Sequence, residues 1–150
     1  MREIVLLRIA SALTLIHAAL HTVGGLLKPP GHGAQEIAVL DTMKSFQFDF
    51  MGSMRSYWDF YLGFGFFVTL GLVLQAVLLW QLASLARKAP SIARPLVGTL
   101  LASFVVMMAL SWRYFFVAPL ATEALIAVLV ATAYVYAGRH GAAAAGAPLL

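Results

Sequence analysis

Five ionisable side chains stand in or beside long apolar runs, where charge is costly and therefore informative: His17, His21, Asp59, Arg113 and Glu123. His17 and His21 form an HxxxH pair, which on an α-helix stacks the two rings on one face. Two imidazoles so placed can share a metal or a haem, or relay a proton. They can equally hydrogen-bond across a bundle, as polar side chains do between apolar helices. The glutamate of an HExxH motif is missing, so which metal or cofactor, if any, they serve is unknown from the sequence.

Asp59 lies in Ser56-Tyr57-Trp58-Asp59-Phe60-Tyr61, a single carboxylate among aromatic rings where an apolar run begins. Two chemistries are open to this set. Asp59, His17, His21 and Glu123 are candidate acid/base groups for a membrane-embedded enzyme, isomerase-like, on a lipid or isoprenoid-like substrate. Together with Tyr57, Trp58, Tyr61, Trp112 and Arg113 they are a candidate binding set for a hydrophobic small molecule, a lipid or a membrane partner, the rings giving apolar walls with hydrogen-bonding tips. A structural role competes with both. Asp59 and Glu123 are expected in first helical turns and Arg113 in a last one, where the helix dipole favours those charges.

The elements that must position these residues follow from hydropathy. The chain has 150 residues, 62% hydrophobic and 11% charged, with a mean hydropathy of +0.90. Soluble domains carry about 25% charged residues, so lipid is the main solvent here. Apolar runs at about 4–27, 57–85, 95–116 and 119–137 are each long enough to cross a hydrocarbon core of about 30 Å at about 1.5 Å per residue. Arg8, His17 and His21 interrupt the first run, which argues for a retained span over a cleaved leader.

The connection over 28–56 is long for a bundle loop. Lys28-Pro29-Pro30-Gly31 stops the first helix, Ile37, Leu40 and Met43 fall at helical spacing, and Phe46, Phe48 and Phe50 alternate at period two. These patterns predict a short interfacial amphipathic helix followed by a half-buried extended segment, in the position of a lid. Residues 141–150, rich in Ala and Gly, read as a flexible tail. The fold expected is all-α: an integral membrane four-helix bundle, one domain, with a short amphipathic helix or lid between spans one and two.

With four spans, Arg2, Arg8, Arg87, Lys88, Arg94 and Arg139 share one side with Glu3 alone among the acids. The positive-inside rule makes that side, and both termini, cytoplasmic. His17, His21, Asp59, Arg113 and Glu123 then share the extracytoplasmic third. The cations are dispersed, with no basic stripe to track a nucleic acid. There is no cysteine, which excludes disulfides and thiolate chemistry, and no phosphate-cradling glycine loop. The expected partners are membrane lipids, a hydrophobic small molecule, and a membrane protein or second copy.

The run Ser56-Tyr57-Trp58-Asp59-Phe60-Tyr61-Leu62-Gly63-Phe64-Gly65, with His17/His21 and Ser111-Trp112-Arg113-Tyr114-Phe115-Phe116, resembles a family of small four-span bacterial membrane proteins. A looser similarity to DoxX-like proteins rests on size and span count. The resemblance implies a four-helix membrane fold in a bacterial inner membrane and carries no catalytic residue, cofactor or substrate with it.

Overall fold

The computed structural model describes residues 1–28 and 31–145, and side chains as far as 138. It is built almost wholly of helix: α1 (Arg2–Leu20), a π-helix (His21–Leu27), α2 (Ala34–Ser45), the strands β1 (Gln47–Phe50) and β2 (Ser53–Ser56), α3 (Tyr57–Lys88), α4 (Pro90–Tyr114) and α5 (Val117–Ala145). Four helical stretches, Arg2–Leu27, Tyr57–Lys88, Pro90–Tyr114 and Val117–Gly138, are long and apolar enough to cross a membrane. The protein is a multi-pass membrane protein of the all-α class. By packing it divides into two compact units, Met1–His17 with Leu72–Leu150, and Ala18–Gly71.

The first unit is a four-helix bundle in its own right. Leu7 and Ala10 of α1, Leu79, Leu82, Ala83 and Ala86 of α3, Ala93, Val97, Leu100 and Phe104 of α4, and Ile126, Ala127, Val130 and Ala133 of α5 close one core. On α3 and α4 these positions recur every three or four residues, which puts them on one face of each helix. The alanines among them matter, since helices surrounded by lipid associate through close van der Waals approach. Gly98 serves the same end, because a Cβ there would stand 3.2 Å from the Tyr134 ring.

The helix ends refine the expected boundaries. α4 begins at Pro90, five residues before the predicted start, because proline at a helix's first position gives up only an N–H that would be unpaired anyway. Pro95 is therefore inside the helix, not at its head. α5 starts at Val117, with Pro119 in its first turn, and continues to Ala145. The tail predicted from residue 141 is thus helical for five residues, as an alanine run favours; residues 146–150 lie outside the described part, as do Pro29 and Pro30.

In the second unit the predicted interfacial helix is present as α2, with Leu40 and Met43 half-buried and Ile37 exposed. Of the period-two phenylalanines, Phe48 and Phe50 lie in β1 and Phe46 caps α2; β2, which the sequence did not signal, pairs with β1 antiparallel in the register Phe48↔Arg55 and Phe50↔Ser53. Met51 and Gly52 turn the hairpin with positive φ at both positions, 54° and 84°, as a two-residue hairpin turn requires. The Asp49 carboxylate accepts the Gly52 N–H at 2.8 Å and fixes that turn. Phe48 packs on Tyr57 and Phe60, and Phe50 meets Phe60 edge-on with centroids 5.3 Å apart, so the hairpin sits on the first turn of α3.

The run expected as one α-helix over 4–27 changes winding at His21. The Lys28 N–H reaches back five residues to the Val23 carbonyl at 3.1 Å, the bond that defines a π-helix. Gly24 and Gly25 stand within the widened turns.

Candidate functional site

The nine candidate residues divide between the units. His17, Trp112, Arg113 and Glu123 belong to the bundle; His21, Tyr57, Trp58, Asp59 and Tyr61 belong to the second unit. Each set has its own geometry.

In the second unit Asp59 caps its own helix. Its Oδ2 accepts the Ser56 backbone N–H at 2.8 Å and the Ser56 hydroxyl at 3.0 Å, while Ser56 Oγ accepts the Asp59 N–H at 3.2 Å. This is a reciprocal capping box with aspartate in the usual glutamate position. Asp59 and Tyr57 are exposed, Trp58 half-buried, and the Trp58 ring stacks on Tyr61 at 5.0 Å and receives the Lys44 ammonium over its face at 4.9 Å. The local sequence explains every one of these contacts, and none of them points toward a ligand.

His21 and Tyr61 fasten the π-helix to α3. His21 Nε2 lies 3.1 Å from the Gly65 carbonyl, so it carries the proton, and the Tyr61 hydroxyl donates to the Gly25 carbonyl at 2.9 Å. The hydroxyls of Thr22 and Thr69 meet at 2.9 Å along the same seam. Leu26 fills the space at Gly65, where a Cβ would come within 2.2 Å of its side chain. His21 thus acts as the interhelical glue considered for it from the sequence. The two histidines also belong to different helical segments, since α1 ends at Leu20 and the π-helix opens at His21.

The bundle holds the buried members. Glu123 is 3% exposed and His17 9%. Glu123 is not in a first turn: α5 begins six residues earlier, so the dipole that falls away within the first turn does not account for it. The buried Ser111 of α4 lies beside the Glu123 carboxyl, and Glu123 Oε2 has no hydrogen-bond partner among the described residues. Arg113, exposed in the last turn of α4, stacks over Tyr114 with its guanidinium 5.2 Å from the ring centre, and Trp112 is 79% exposed.

Four further residues, unremarked as site members from the sequence, extend this polar interior. Ser103, Met107 and Ser111 recur every fourth residue and so form one stripe of α4, about 12 Å long at about 1.5 Å per residue. Gln75 of α3 donates through Nε2 to Ser103 Oγ at 2.9 Å and to the Met107 sulfur at 3.4 Å, leaving its own Oε1 buried without a partner. The signal that finds them is the spacing of four on α4, together with a lone amide inside an apolar span. Around the stripe two acceptor oxygens, Gln75 Oε1 of α3 and Glu123 Oε2 of α5, lack a donor among the described residues. Among the described residues no three His, Asp or Glu side chains gather as a metal site.

Comparison with protein-family models, curated proteins and solved structures gives no match for this chain.

Proposed function

We propose that this protein binds an apolar small molecule or lipid whose head carries a hydrogen-bond donor, a hydroxyl or an ammonium, and that Glu123 receives that head. On this reading it is a four-span protein of the bacterial inner membrane with both termini cytoplasmic, akin to the small four-span proteins its sequence resembles. The Glu123 end of the bundle then lies in the extracytoplasmic third. One observation supports the reading: a carboxyl 3% exposed, beside Ser111, with one oxygen that has no donor among the described residues. A buried polar group without a hydrogen bond costs about 1–3 kcal/mol, a cost that a donor on the ligand removes. The Ser103–Met107–Ser111 stripe supplies a narrow polar track along α4, and Gln75 Oε1 a second acceptor beside it. Trp112 and Tyr114 flank Arg113 just beyond Ser111 and supply an amphipathic rim of the kind membrane interfaces favour.

The test is to purify the full chain from membranes in mild detergent, extract it with solvent and identify what it retained by mass spectrometry. A hydroxyl- or amine-bearing apolar compound is expected with the native chain and with Asp59→Asn. Glu123→Leu, which removes both oxygens, should lower its retention roughly ten- to hundredfold, the equivalent of a lost hydrogen bond to a charged group. Glu123→Gln keeps an acceptor without the charge, so it should keep a hydroxyl ligand and lose an ammonium one. Equal retention by native chain and Glu123→Leu sinks the assignment.

A further inference from the structure

At the other end of α4 the bundle unit gathers cations. Arg87 and Lys88 close α3, Ala89 alone intervenes, and Arg94 follows on the first turns of α4. The unit has two acids. Glu3 is salt-bridged to the N-terminal ammonium at 2.8 Å, and Glu123 lies beside Ser111, toward the far end of α4. Among the described residues no carboxylate lies within ion-pair reach of Arg94.

Arg94 is nonetheless held in place. Its guanidinium carbon lies 4.6 Å from the centre of the Tyr134 ring. The same group lies against Gly138, where an added Cβ would come within 3.0 Å of it. Both contacts are to α5, and they seat the guanidinium with no carboxylate among the described residues paired to it. It borders a groove of about 460 Å³ between α4 and α5 whose other walls include Pro90, Ser91, Pro95 and Ala137. An arginine fixed in position with its charge unanswered is a ready receptor for a planar-matched anion, since its donors pair bidentately with phosphate oxygens.

We propose that this groove binds the phosphate of an anionic membrane lipid. Arg94 takes the phosphate oxygens, Ser91 offers a hydroxyl beside it, and the prolines and Ala137 give the glycerol backbone an apolar seat. The source is a lipid because the groove lies at the ends of two membrane-length helices, where headgroups reside, and because most of its wall is apolar. Arg87 and Lys88 add attraction for an anionic surface, as basic residues near the ends of spans do. The site is separate from Glu123 and independent of the ligand bound there.

Native mass spectrometry of the delipidated full chain in detergent, titrated with dioleoylphosphatidylglycerol or dioleoylphosphatidylcholine, reads this directly. The native chain should hold the anionic lipid about tenfold more tightly than the zwitterionic one. Arg94→Ala should abolish that preference. Gly138→Ala should weaken it by displacing the guanidinium, and Arg94→Lys should leave it intermediate, keeping charge without the fork; these two keep the test decisive if Arg94→Ala fails to fold. Sodium phosphate at the same concentration should not displace the lipid. Equal binding of the two lipids by the native chain, an unchanged preference in helical Arg94→Ala, or displacement by inorganic phosphate would each overturn the proposal.

Discussion

Asp59 and Glu123 are the same kind of group near the start of two membrane-length helices, yet the chain treats them oppositely. Asp59 is exposed and accepts two hydrogen bonds from Ser56, three residues away. Glu123 is buried, lies beside Ser111 of another helix, and keeps one oxygen unmatched among the described residues. The first arrangement is complete within four residues of sequence. The second exists only because α4 and α5 pack together, and its incompleteness is what marks it for ligand recognition. A carboxylate in an apolar chain is thus informative according to what satisfies it, not according to its rarity.

This contrast can be broken by substitution. The largest effect is expected at Glu123. Glu123→Leu should lower ligand retention ten- to hundredfold while leaving the purified protein as stable as before or more so, by up to about 3 kcal/mol, because an unmatched buried acceptor is removed. Thermal unfolding in detergent alongside extraction reads both quantities; a large destabilisation without ligand loss would make Glu123 a structural member of the bundle. Gly65→Ala comes next. The added methyl must push Leu26 aside, so the seam of the second unit should weaken by about 1–3 kcal/mol, seen as faster amide exchange over His21–Leu27. Unaltered exchange there would show that the π-helix is not held by this contact.

Asp59→Ala should loosen the helix cap, with fraying confined to the first turn of α3 and no change in retained ligand. Loss of ligand in that variant would restore Asp59 to the site. The smallest effect concerns Glu36, outside the spans. Its carboxylate accepts the His32 backbone N–H, and the His32 ring Nδ1 lies 2.9 Å from the same oxygen. The backbone bond first, and the ring second, hold the Glu36 carboxyl below the ordinary glutamate range. A carboxyl whose folded pKa is depressed adds stability above its unfolded pKa, and that stability is lost as pH falls through the folded value. Amide exchange at the start of α2 should accordingly rise slightly on acidification through and below the carboxylate range, and Glu36→Gln should remove the pH dependence.

The four helices were legible because hydropathy over twenty residues is a strong signal, and the aromatic strand because Phe46, Phe48 and Phe50 alternate without ambiguity. The capping box was half legible: Ser56 and Asp59 stand at the right spacing, and first-turn placement of Asp59 was expected. β2 was hidden, since Ser53-Met54-Arg55-Ser56 has no alternating apolar pattern and is a strand only by pairing with β1. The π-helix was hidden as well, because the apolar pattern of His21–Leu27 does not distinguish π from α winding, and the contact of Leu26 with Gly65 joins residues far apart in the chain. Pro90 and Pro95 offered two starts for α4, and only the packing of Ala93 into the core decides for the first. Glu123 was named as a candidate, but the spacing of four on α4 and the lone amide of Gln75 are faint signals that do not by themselves single out Ser111 or Gln75 as site members. They become visible only when α3, α4 and α5 are packed.

The most direct test is an experimental structure of the protein purified from native membranes without delipidation. An elongated molecule is expected beside the Ser103–Met107–Ser111 stripe, with a head atom about 3 Å from Glu123 Oε2, within hydrogen-bond distance. A structure in which Oε2 is satisfied by protein groups alone, with no molecule against it, contradicts the central claim.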